Sequence, residues 1–245
     1  LFTAPTAFRA IKRSDPLGKF IKKYDTSSLK TLFLAGERAD SDTINWASNK
    51  LKVPVIDHWW QTETGFPMVG CPQGLNSPPV KIGTAGLAMP GYDVKVLDEG
   101  SRTSETNELG SIVVKLPLPP GTLPTLWNAD DRFKQSYLSR FPGYYDTGDA
   151  GFIDSDGYIS IMARTDDVIN TAGHRLSTGA MEEVLSEHSD IAECAVIGVN
   201  DDLKGQLPLG FICLNAGVNR NHEEIIAESI SLVREKIGPV ASFNH

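Results

Sequence analysis

The sequence is poor in cysteine, in long apolar runs and in positive charge. Its three cysteines, Cys71, Cys194 and Cys213, are odd in number, far apart and without a CxxC pair, which indicates a reduced compartment and no structural zinc site. No apolar run approaches the roughly 20 residues that a membrane-spanning helix needs, so no membrane span is predicted. The net charge of -8 argues against a general nucleic-acid or anionic-membrane surface, since such surfaces need a basic excess to neutralise phosphates.

Two further absences concern catalysis and the extent of the chain. No Ser-His-Asp spacing and no histidine-rich cluster is present, so neither a serine-hydrolase triad nor a histidine-based metal site is predicted. The sequence opens at Leu1 without an initiator Met and closes on "REKIGPVASFNH" without a terminal tail. We therefore expect a fragment, in which the lack of a signal peptide carries no information about where the parent protein resides.

The first 80 residues have the pattern of a parallel α/β sheet. Residues 1–30 are predicted to be helix and loop, with a helix that opens on Pro5. A buried strand, a helix and a second strand follow in "LKTLFLAGE", "SDTINWASNKL" and "VPVIDHWW". Because binding loops lie at the carboxyl ends of parallel strands, we expect the residues after these two strands to share one rim of the sheet.

The rest of the chain changes pattern twice. From about residue 80, short alternating strands separated by Gly, Pro, Asn and Asp predict a β-rich subdomain, in which "DSDG" is a hairpin turn. After that comes a small α+β domain with a helix, a buried strand, another strand and an amphipathic helix, in "STGAMEEVLSEH", "IAECAVIGV", "LPLGFICLN" and "HEEIIAESISLVREKIG". The predicted fold class is therefore α/β plus a β-rich subdomain and a small α+β C-terminal domain, divided into residues 1–165 and 166–245.

Residues 57–65, "DHWWQTETG", place two tryptophans directly beside polar side chains. Adjacent tryptophans are as typical of a core as of a pocket for a flat ring. A turn of small residues after the neighbouring strand favours the pocket, because a ligand can approach the backbone closely there. In such a pocket Thr62 can donate to a phosphate oxygen, and Glu63 can hold a Mg²⁺ that bridges phosphates.

Two later segments carry groups suited to a nucleotide. Asp149 lies in the glycine-flanked "YYDTGDAG", where its carboxylate is suited to two ribose hydroxyls, although an aspartate in a tight turn is a common structural feature. "ARTDDVINTAGHRLS" brings Arg164 and Arg175 close to a glycine loop, and guanidinium groups bind phosphate and ribose oxygens. The structural alternative is a solvated interdomain loop with salt bridges.

Together these segments resemble the adenylate-forming superfamily and, within it, the short-chain acyl-CoA synthetases (acetyl- and propionyl-CoA ligases). The matching segments run in order from about residue 31 to 239: "AGE", "DHWWQTETG", "YYDTGDAG", "ARTDDVINTAGHR" and "VREKIGP". The resemblance implies that a carboxylate attacks the α-phosphate of ATP-Mg²⁺ to give acyl-adenylate and pyrophosphate. The CoA thiol then displaces AMP, so ATP, Mg²⁺, CoA and a small carboxylic acid are the expected ligands.

By position, the resemblance assigns roles to individual residues. The ATP or AMP site is expected to be lined by Gly36, Glu37, Arg38, Asp57, His58, Trp59, Trp60, Gln61, Thr62, Asp149, Arg164 and Arg175. Thr62 toward the α-phosphate, Glu63 toward the metal and Arg175 toward the phosphate are the catalytic candidates. Asp149 and Arg164 are expected to hold the ribose. The hinge of the small domain and the CoA contacts are expected at Asp166, and at Ala172, Gly173 and Arg234.

The acyl pocket implied by the resemblance contains Ala35 and Trp60. The indole limits chain length by volume, because overpacking costs roughly 1–3 kcal/mol. Ala35 stands where acetate-specific relatives typically have Val, which leaves room for about one more carbon, worth up to about 0.8 kcal/mol. Propionate is therefore predicted over acetate. Two positions depart from the family: Arg38 replaces a common Pro, and Ala172 a common Ser.

Two elements of the family are not in the sequence. The glycine-rich loop that cradles the β- and γ-phosphates is expected upstream of Leu1, and the lysine of the first half-reaction beyond His245, so the fragment alone is expected to be inactive. The alternatives are a non-catalytic nucleotide- or CoA-binding truncated product and, ranked lower, an amino-acid-activating domain. "VVKLPLPPG" resembles the propionate-preferring mitochondrial type, so the mitochondrial matrix is expected, with the cytoplasm as alternative. No oligomeric state is predicted.

Overall fold

The chain divides into two compact units, Leu1–Ile161 and Met162–His245, whereas the sequence pattern placed the division at residue 166. The structure is a computed structural model and describes residues 1–75, 79–215, 217–241 and 243. Over these ranges no helix is both long enough and apolar enough to cross a membrane.

The first unit begins with a parallel sheet of three strands in the order β1-β2-β3. Its elements are β1 (Phe2–Thr3), α1 (Pro5–Ser14), a 3-10 turn (Ile21–Lys23), β2 (Leu32–Leu34), α2 (Ser41–Leu51) and β3 (Val55–Asp57). The predicted strand-helix-strand order of β2, α2 and β3 is confirmed. The prediction of only helix and loop before residue 30 is wrong at β1, because two residues carry no periodicity and become a strand only by pairing with β2.

Local chemistry explains both helices of this sheet. Pro5 occupies the first turn of α1, where the missing N–H costs no hydrogen bond. The Asp40 carboxylate caps α2 by accepting from the backbone N–H of Thr43 at 2.7 Å, and Lys52 ends the helix in the left-handed region at φ 59°. The helices and the sheet bury a common core that comprises Phe8, Leu32, Leu34, Ala39, Ile44, Trp46, Ala47 and Val55.

The second part of this unit is the predicted β-rich subdomain. Its elements are β4 (Val69–Gly70), β5 (Leu87–Ala88), β6 (Val94–Leu97), β7 (Gly110–Lys115), α3 (Asp130–Tyr137), β8 (Tyr144–Ile153) and β9 (Ile159–Arg164), of which the last three residues are counted in the second unit. Strands β6 to β9 form one sheet in sequence order, and the "DSDG" turn joins β8 to β9 as predicted. Helix α3 was not predicted. Its eight residues follow a Pro-rich segment, and only Phe133 is buried.

The parallel sheet and the β-rich part of the first unit are joined through the loop after β3. Trp59 forms an antiparallel bridge with Val69, the first residue of β4. The Trp59 side chain packs against the β-rich core, in which Tyr145 of β8 is 1% exposed. The loop that leaves the parallel sheet is therefore part of the β-rich core as well.

The second unit contains the predicted small α+β domain. Its elements are β10 (Ile169–Thr171), β11 (His174–Leu176), α4 (Thr178–Ser186), β12 (Ile191–Asp201), β13 (Gly205–Leu214), α5 (His222–Lys236) and a 3-10 turn (Pro239–Ala241). The strand order is β11-β10-β13-β12. The prediction that β12 is buried is wrong, since only Ile191 and Val196 of its eleven residues are buried. Strand β12 lies last in the sheet order, and its contribution to the core is Ile191 and Val196, with the partly buried Cys194 packed against that core.

A glycine on β8 provides a test of how closely its sheet is packed. A methyl group on Gly151 would lie 2.1 Å from the carbonyl oxygen of Ser160 and 2.7 Å from Cδ1 of Ile112. We expect Gly151→Ala to lower the free energy of unfolding by about 1–3 kcal/mol, because backbone cannot move aside as a flexible side chain can. Gly74→Ala is the matched control, since its Cβ would meet nothing within 4 Å. Equal melting temperatures for the two variants would contradict this packing.

Candidate functional site

A buried carboxylate on β8 is held by two side chains from the loop after β3. Oδ2 of Asp149 accepts from Nε1 of Trp59 at 3.2 Å and from Nε2 of Gln61 at 2.7 Å, across 90 and 88 residues of sequence. Gln61 Nε2 also donates to the carbonyl oxygen of Thr147 at 2.7 Å. The "WWQTETG" and "YYDTGDAG" segments, each chosen from sequence for a different part of a nucleotide, thus meet at one point.

The orientation of Gln61 is fixed by a tyrosine that sequence analysis missed. The hydroxyl of Tyr145 donates to Gln61 Oε1 at 3.0 Å, so the amide nitrogen faces Asp149. Burial, together with the nearby charges of Glu63 and other acidic groups, raises the pKa of Tyr145, and the hydroxyl therefore stays protonated and able to donate. In the sequence, Tyr145 could have been identified from the aromatic pair that begins "YYDTGDAG".

Glu63, the candidate metal ligand, is held at one carboxylate oxygen and at its backbone. Oε1 accepts from the hydroxyl of Tyr137 at 2.7 Å, and the Glu63 carbonyl accepts from the N–H of Leu123 at 2.7 Å. Oε2 has no hydrogen-bond partner among the residues that the structure describes. Those residues contain no group of three or more metal-binding side chains. A single carboxylate fits Mg²⁺, which proteins commonly bind by one or two carboxylates together with substrate phosphates.

The rim after β2 presents small residues and backbone. Ala35 is 5% exposed, and Gly36 has a φ of 101°, which a residue with a side chain would rarely adopt. The Glu37 carboxylate is engaged by α1: it accepts from the N–H of Thr6 at 2.8 Å and from its hydroxyl, and pairs with Arg9 at 2.6 Å. Although burial opposes them, these contacts hold the pKa of Glu37 below its usual range. The side chain of Glu37 therefore anchors the rim to α1.

Two titratable side chains lie at the end of β3. Asp57 accepts from the N–H of Ala39 at 3.3 Å. Burial raises the pKa of Asp57 to about 7, although the positive charge of Arg38 acts to lower that pKa. His58 has Phe2 and Phe33 edge-on at 5.5 Å between ring centroids. Its Nδ1 is buried without a partner among the described residues, and burial lowers the pKa of His58. The imidazole is therefore neutral at physiological pH.

The two tryptophans have different environments. Trp59 packs on the β-rich core and donates to Asp149, whereas the indole of Trp60 is 38% exposed. Thr62 is exposed beside them. A pair of core tryptophans, the structural alternative for this segment, is therefore wrong for Trp60.

The remaining candidates belong to the second unit. Arg164 ends β9, with Nε 3.7 Å from Asp166 Oδ1, and both side chains are exposed. Ala172 and Gly173 form the turn between β10 and β11, with φ of 48° and 84°. The other two predicted sites are Arg175, on β11 opposite Asn170, and Arg234, exposed in the last turn of α5.

Two family models match the chain. The model described as AMP-binding enzyme matches residues 1–121, and that described as AMP-binding enzyme C-terminal domain matches residues 180–245. The chain is 50% identical over 246 aligned residues to acyl-CoA synthetase short-chain family member 3, mitochondrial, from Homo sapiens, with 100% of this chain and 36% of the relative covered. It is 48% identical over 214 residues to propionate–CoA ligase from Escherichia coli K12, covering 86% of this chain and 34% of that protein.

The fold is shared with solved structures at lower identity. The anthranilate CoA ligase AuaEII, solved in complex with anthranoyl-AMP, matches with a TM-score of 0.82 at 24% identity over 99% of this chain and 44% of the other. This likeness confirms the predicted mixed architecture. The chain spans little more than a third of the length of the two curated relatives described above.

The β10–β11 turn yields a prediction about strain. Ala172→Gly is expected to raise the free energy of unfolding by about 0.5–1 kcal/mol, because relief of the left-handed φ outweighs the added freedom of glycine in the unfolded chain. Gly173→Ala is the opposite case: its Cβ would meet nothing within 4 Å, so only backbone strain acts. We expect that variant to lose about 1 kcal/mol. Thermal unfolding in which both variants shift in the same direction would contradict the turn geometry.

Proposed function

The chain belongs to the AMP-binding enzyme family, and from this premise we propose that the protein activates a short-chain carboxylic acid with ATP and transfers the acyl group to CoA. The observation that carries the proposal is the buried Asp149, which Trp59 and Gln61 hold at the junction of two sheets. The relatives named above support an acid–thiol ligase that releases AMP and pyrophosphate.

In this proposal the nucleotide lies across the rim formed by the loops after β2 and β3. The base packs near the segment Asp57–Gln61 and near Gly36, where the lack of a side chain leaves the backbone accessible. Asp149 accepts from the ribose hydroxyls, since each oxygen of a carboxylate can accept more than one hydrogen bond. Burial strengthens each of these hydrogen bonds because the local dielectric is low.

The phosphates are proposed to lie toward Thr62 and Glu63. The exposed Thr62 hydroxyl donates to an α-phosphate oxygen, and Glu63 offers Oε2 to a Mg²⁺. When bound, Mg²⁺ supplies positive charge that offsets the developing negative charge on phosphoryl oxygens. The protein's own part is to hold these groups in place before the carboxylate attacks, which lowers the cost of reaching the transition state.

Further roles are proposed for residues of the second unit. Arg164 contacts the ribose, Arg175 reaches the phosphate, and Asp166 is the hinge about which the small domain turns between half-reactions. The CoA contacts proposed are Ala172, Gly173 and Arg234. The tight turn supports the first two, since it presents backbone with almost no side chain in front of it.

The acyl pocket is proposed to lie between Ala35 and Trp60. Ala35 is buried, so the two extra methyl groups of a valine would take up space inside the protein. The partly exposed indole of Trp60 is available to close the other end. We propose propionate as the preferred acid and acetate as the next. The mitochondrial matrix is the proposed location, supported by the name of the human relative.

A test of the nucleotide site uses Asp149→Asn. The amide keeps the size of the carboxylate but loses its charge, so we expect AMP affinity to fall about 10-fold or more, the loss of a charged hydrogen bond worth about 1.5–3 kcal/mol. Asp154→Asn is the control, because Asp154 pairs with Lys81 in the β8–β9 hairpin. Calorimetric AMP titrations of the full-length protein measure both. If the two variants bind AMP equally, Asp149 does not hold the ribose.

A test of the acyl pocket uses Ala35→Val. We expect the ratio of kcat/KM for propionate to kcat/KM for acetate to fall about fourfold or more, the factor that corresponds to ~0.8 kcal/mol per buried CH₂. Ala88→Val, on an exposed strand position, is the matched control. Pyrophosphate exchange into ATP by the full-length protein measures the ratio. An unchanged ratio in Ala35→Val would remove Ala35 from the pocket.

A further inference from the structure

We propose that Tyr137 is a positioning residue, which orients the Glu63 carboxylate so that Oε2 faces a divalent cation bound with ATP. The inference rests on the proposed function and adds to it a residue from α3. Tyr137 and Glu63 lie 74 residues apart in sequence, and the hydroxyl donates to Oε1 at 2.7 Å. That distance is typical of a strong hydrogen bond to a carboxylate.

Contacts with two other aromatic rings hold the Tyr137 ring independently of its hydrogen bond to Glu63. It stacks on Tyr145 with 5.4 Å between ring centroids and 6° between planes, and it packs against Phe133, one helical turn earlier, at 5.4 Å and 42°. A tyrosine has only two main side-chain torsions, and ring contacts on this scale restrict both. Little conformational entropy is therefore lost when the hydroxyl binds the carboxylate.

The backbone of Glu63 is fixed independently. Its carbonyl accepts from the N–H of Leu123 at 2.7 Å. The turn around it is closed by Thr64, whose N–H donates to the Gln61 carbonyl at 3.0 Å and whose hydroxyl accepts from the Gln61 N–H at 3.1 Å. With the backbone and Oε1 both held, the direction of Oε2 is determined.

The same two tyrosines connect the candidate metal ligand to the candidate ribose ligand. Tyr137 stacks on Tyr145, Tyr145 donates to Gln61, and Gln61 donates to Asp149. The carboxylates of Glu63 and Asp149 are therefore linked by a continuous series of contacts through buried or half-buried side chains. A ligand that uses both carboxylates would meet them at a fixed separation.

Orientation of a ligating carboxylate has a measurable effect. Loss of a hydrogen bond to a metal ligand typically costs 10–100-fold in metal affinity or activity, because the freed carboxylate samples other orientations. AMP needs no cation and is held through Asp149 in the proposed site. Loss of the Tyr137 hydroxyl should therefore weaken Mg²⁺-dependent ATP binding and leave AMP binding unaffected.

The experiment compares Tyr137→Phe with Tyr158→Phe in the full-length protein. Phenylalanine keeps the ring contacts and removes only the hydroxyl. Tyr158 is the matched control, since it is 7% exposed and its hydroxyl donates to the carbonyl oxygen of Pro79 at 2.6 Å, away from Glu63. ATP is titrated calorimetrically at a series of Mg²⁺ concentrations without acid or CoA, and AMP is titrated in EDTA.

For Tyr137→Phe we expect a 10–100-fold rise in the half-saturating Mg²⁺ concentration, with the AMP dissociation constant within about twofold of wild type. Tyr158→Phe should match wild type in the half-saturating Mg²⁺ concentration and in the AMP dissociation constant. Its melting temperature should also be similar to that of wild type. In a Glu63→Gln background, Tyr137→Phe should have no further effect on the Mg²⁺ dependence, because the proposed effect of the hydroxyl on Mg²⁺ is exerted through that carboxylate.

Three results would overturn the inference. The first is a Mg²⁺ dependence of Tyr137→Phe equal to that of Tyr158→Phe. The second is a fall in AMP affinity as large as the fall in Mg²⁺-dependent ATP affinity, which indicates a general loss of structure. The third is a further loss in the Glu63→Gln background. Failure of the wild-type protein to bind AMP or ATP is a separate result and rejects the proposed function together with the inference.

Discussion

The buried Asp149 is the constraint on which the site depends. A carboxylate at 8% exposure is costly unless donors compensate for lost water, and here Trp59 and Gln61, which both donate to Oδ2, lie in the loop that leaves another sheet after β3. To satisfy that charge, the loop after β3 must cross to β8. This crossing packs Trp59 against the β-rich core. It thereby sets the direction in which the loop continues beyond Trp59.

Charge is distributed unevenly along the rim. Glu37 is engaged by α1, His58 is neutral, and the pKa of Asp57 is raised by burial to about 7. Ion pairing and burial therefore reduce the negative charge at the end of the rim nearest β2 and β3. At the other end, the neutral hydroxyl of Tyr137 donates to Oε1 of Glu63, and the neutral side chains of Trp59 and Gln61 donate to the nearby Asp149 of β8. A flat, uncharged ring suits the first end, and hydroxyls or a cation suit the second.

The sequence allowed prediction of the elements with strong local signals. Helix α2 has an aspartate cap and begins where expected, and the "DSDG" turn joins two strands as its residues demand. The resemblance to AMP-binding enzymes, drawn from five short segments, is confirmed by both family models. Strand β1 and helix α3 were missed, because two residues and one buried side chain give almost no periodic signal. The roles assigned to individual site residues stay predictions.

By itself, the sequence determined which side chains could bind a nucleotide, since carboxylates, hydroxyls and small residues have that chemistry wherever they lie. Only the tertiary structure decided their partners. Tyr137 lies 74 residues from Glu63, and no local pattern relates the two; packing of Tyr137 on Tyr145 brings them into contact. In the same way, no local pattern relates Glu37 to Thr6 and Arg9, and the fold brings the three together so that the Glu37 carboxylate anchors the rim to α1. The physical reason is that hydrogen bonds act over about 3 Å in space, independently of separation along the chain.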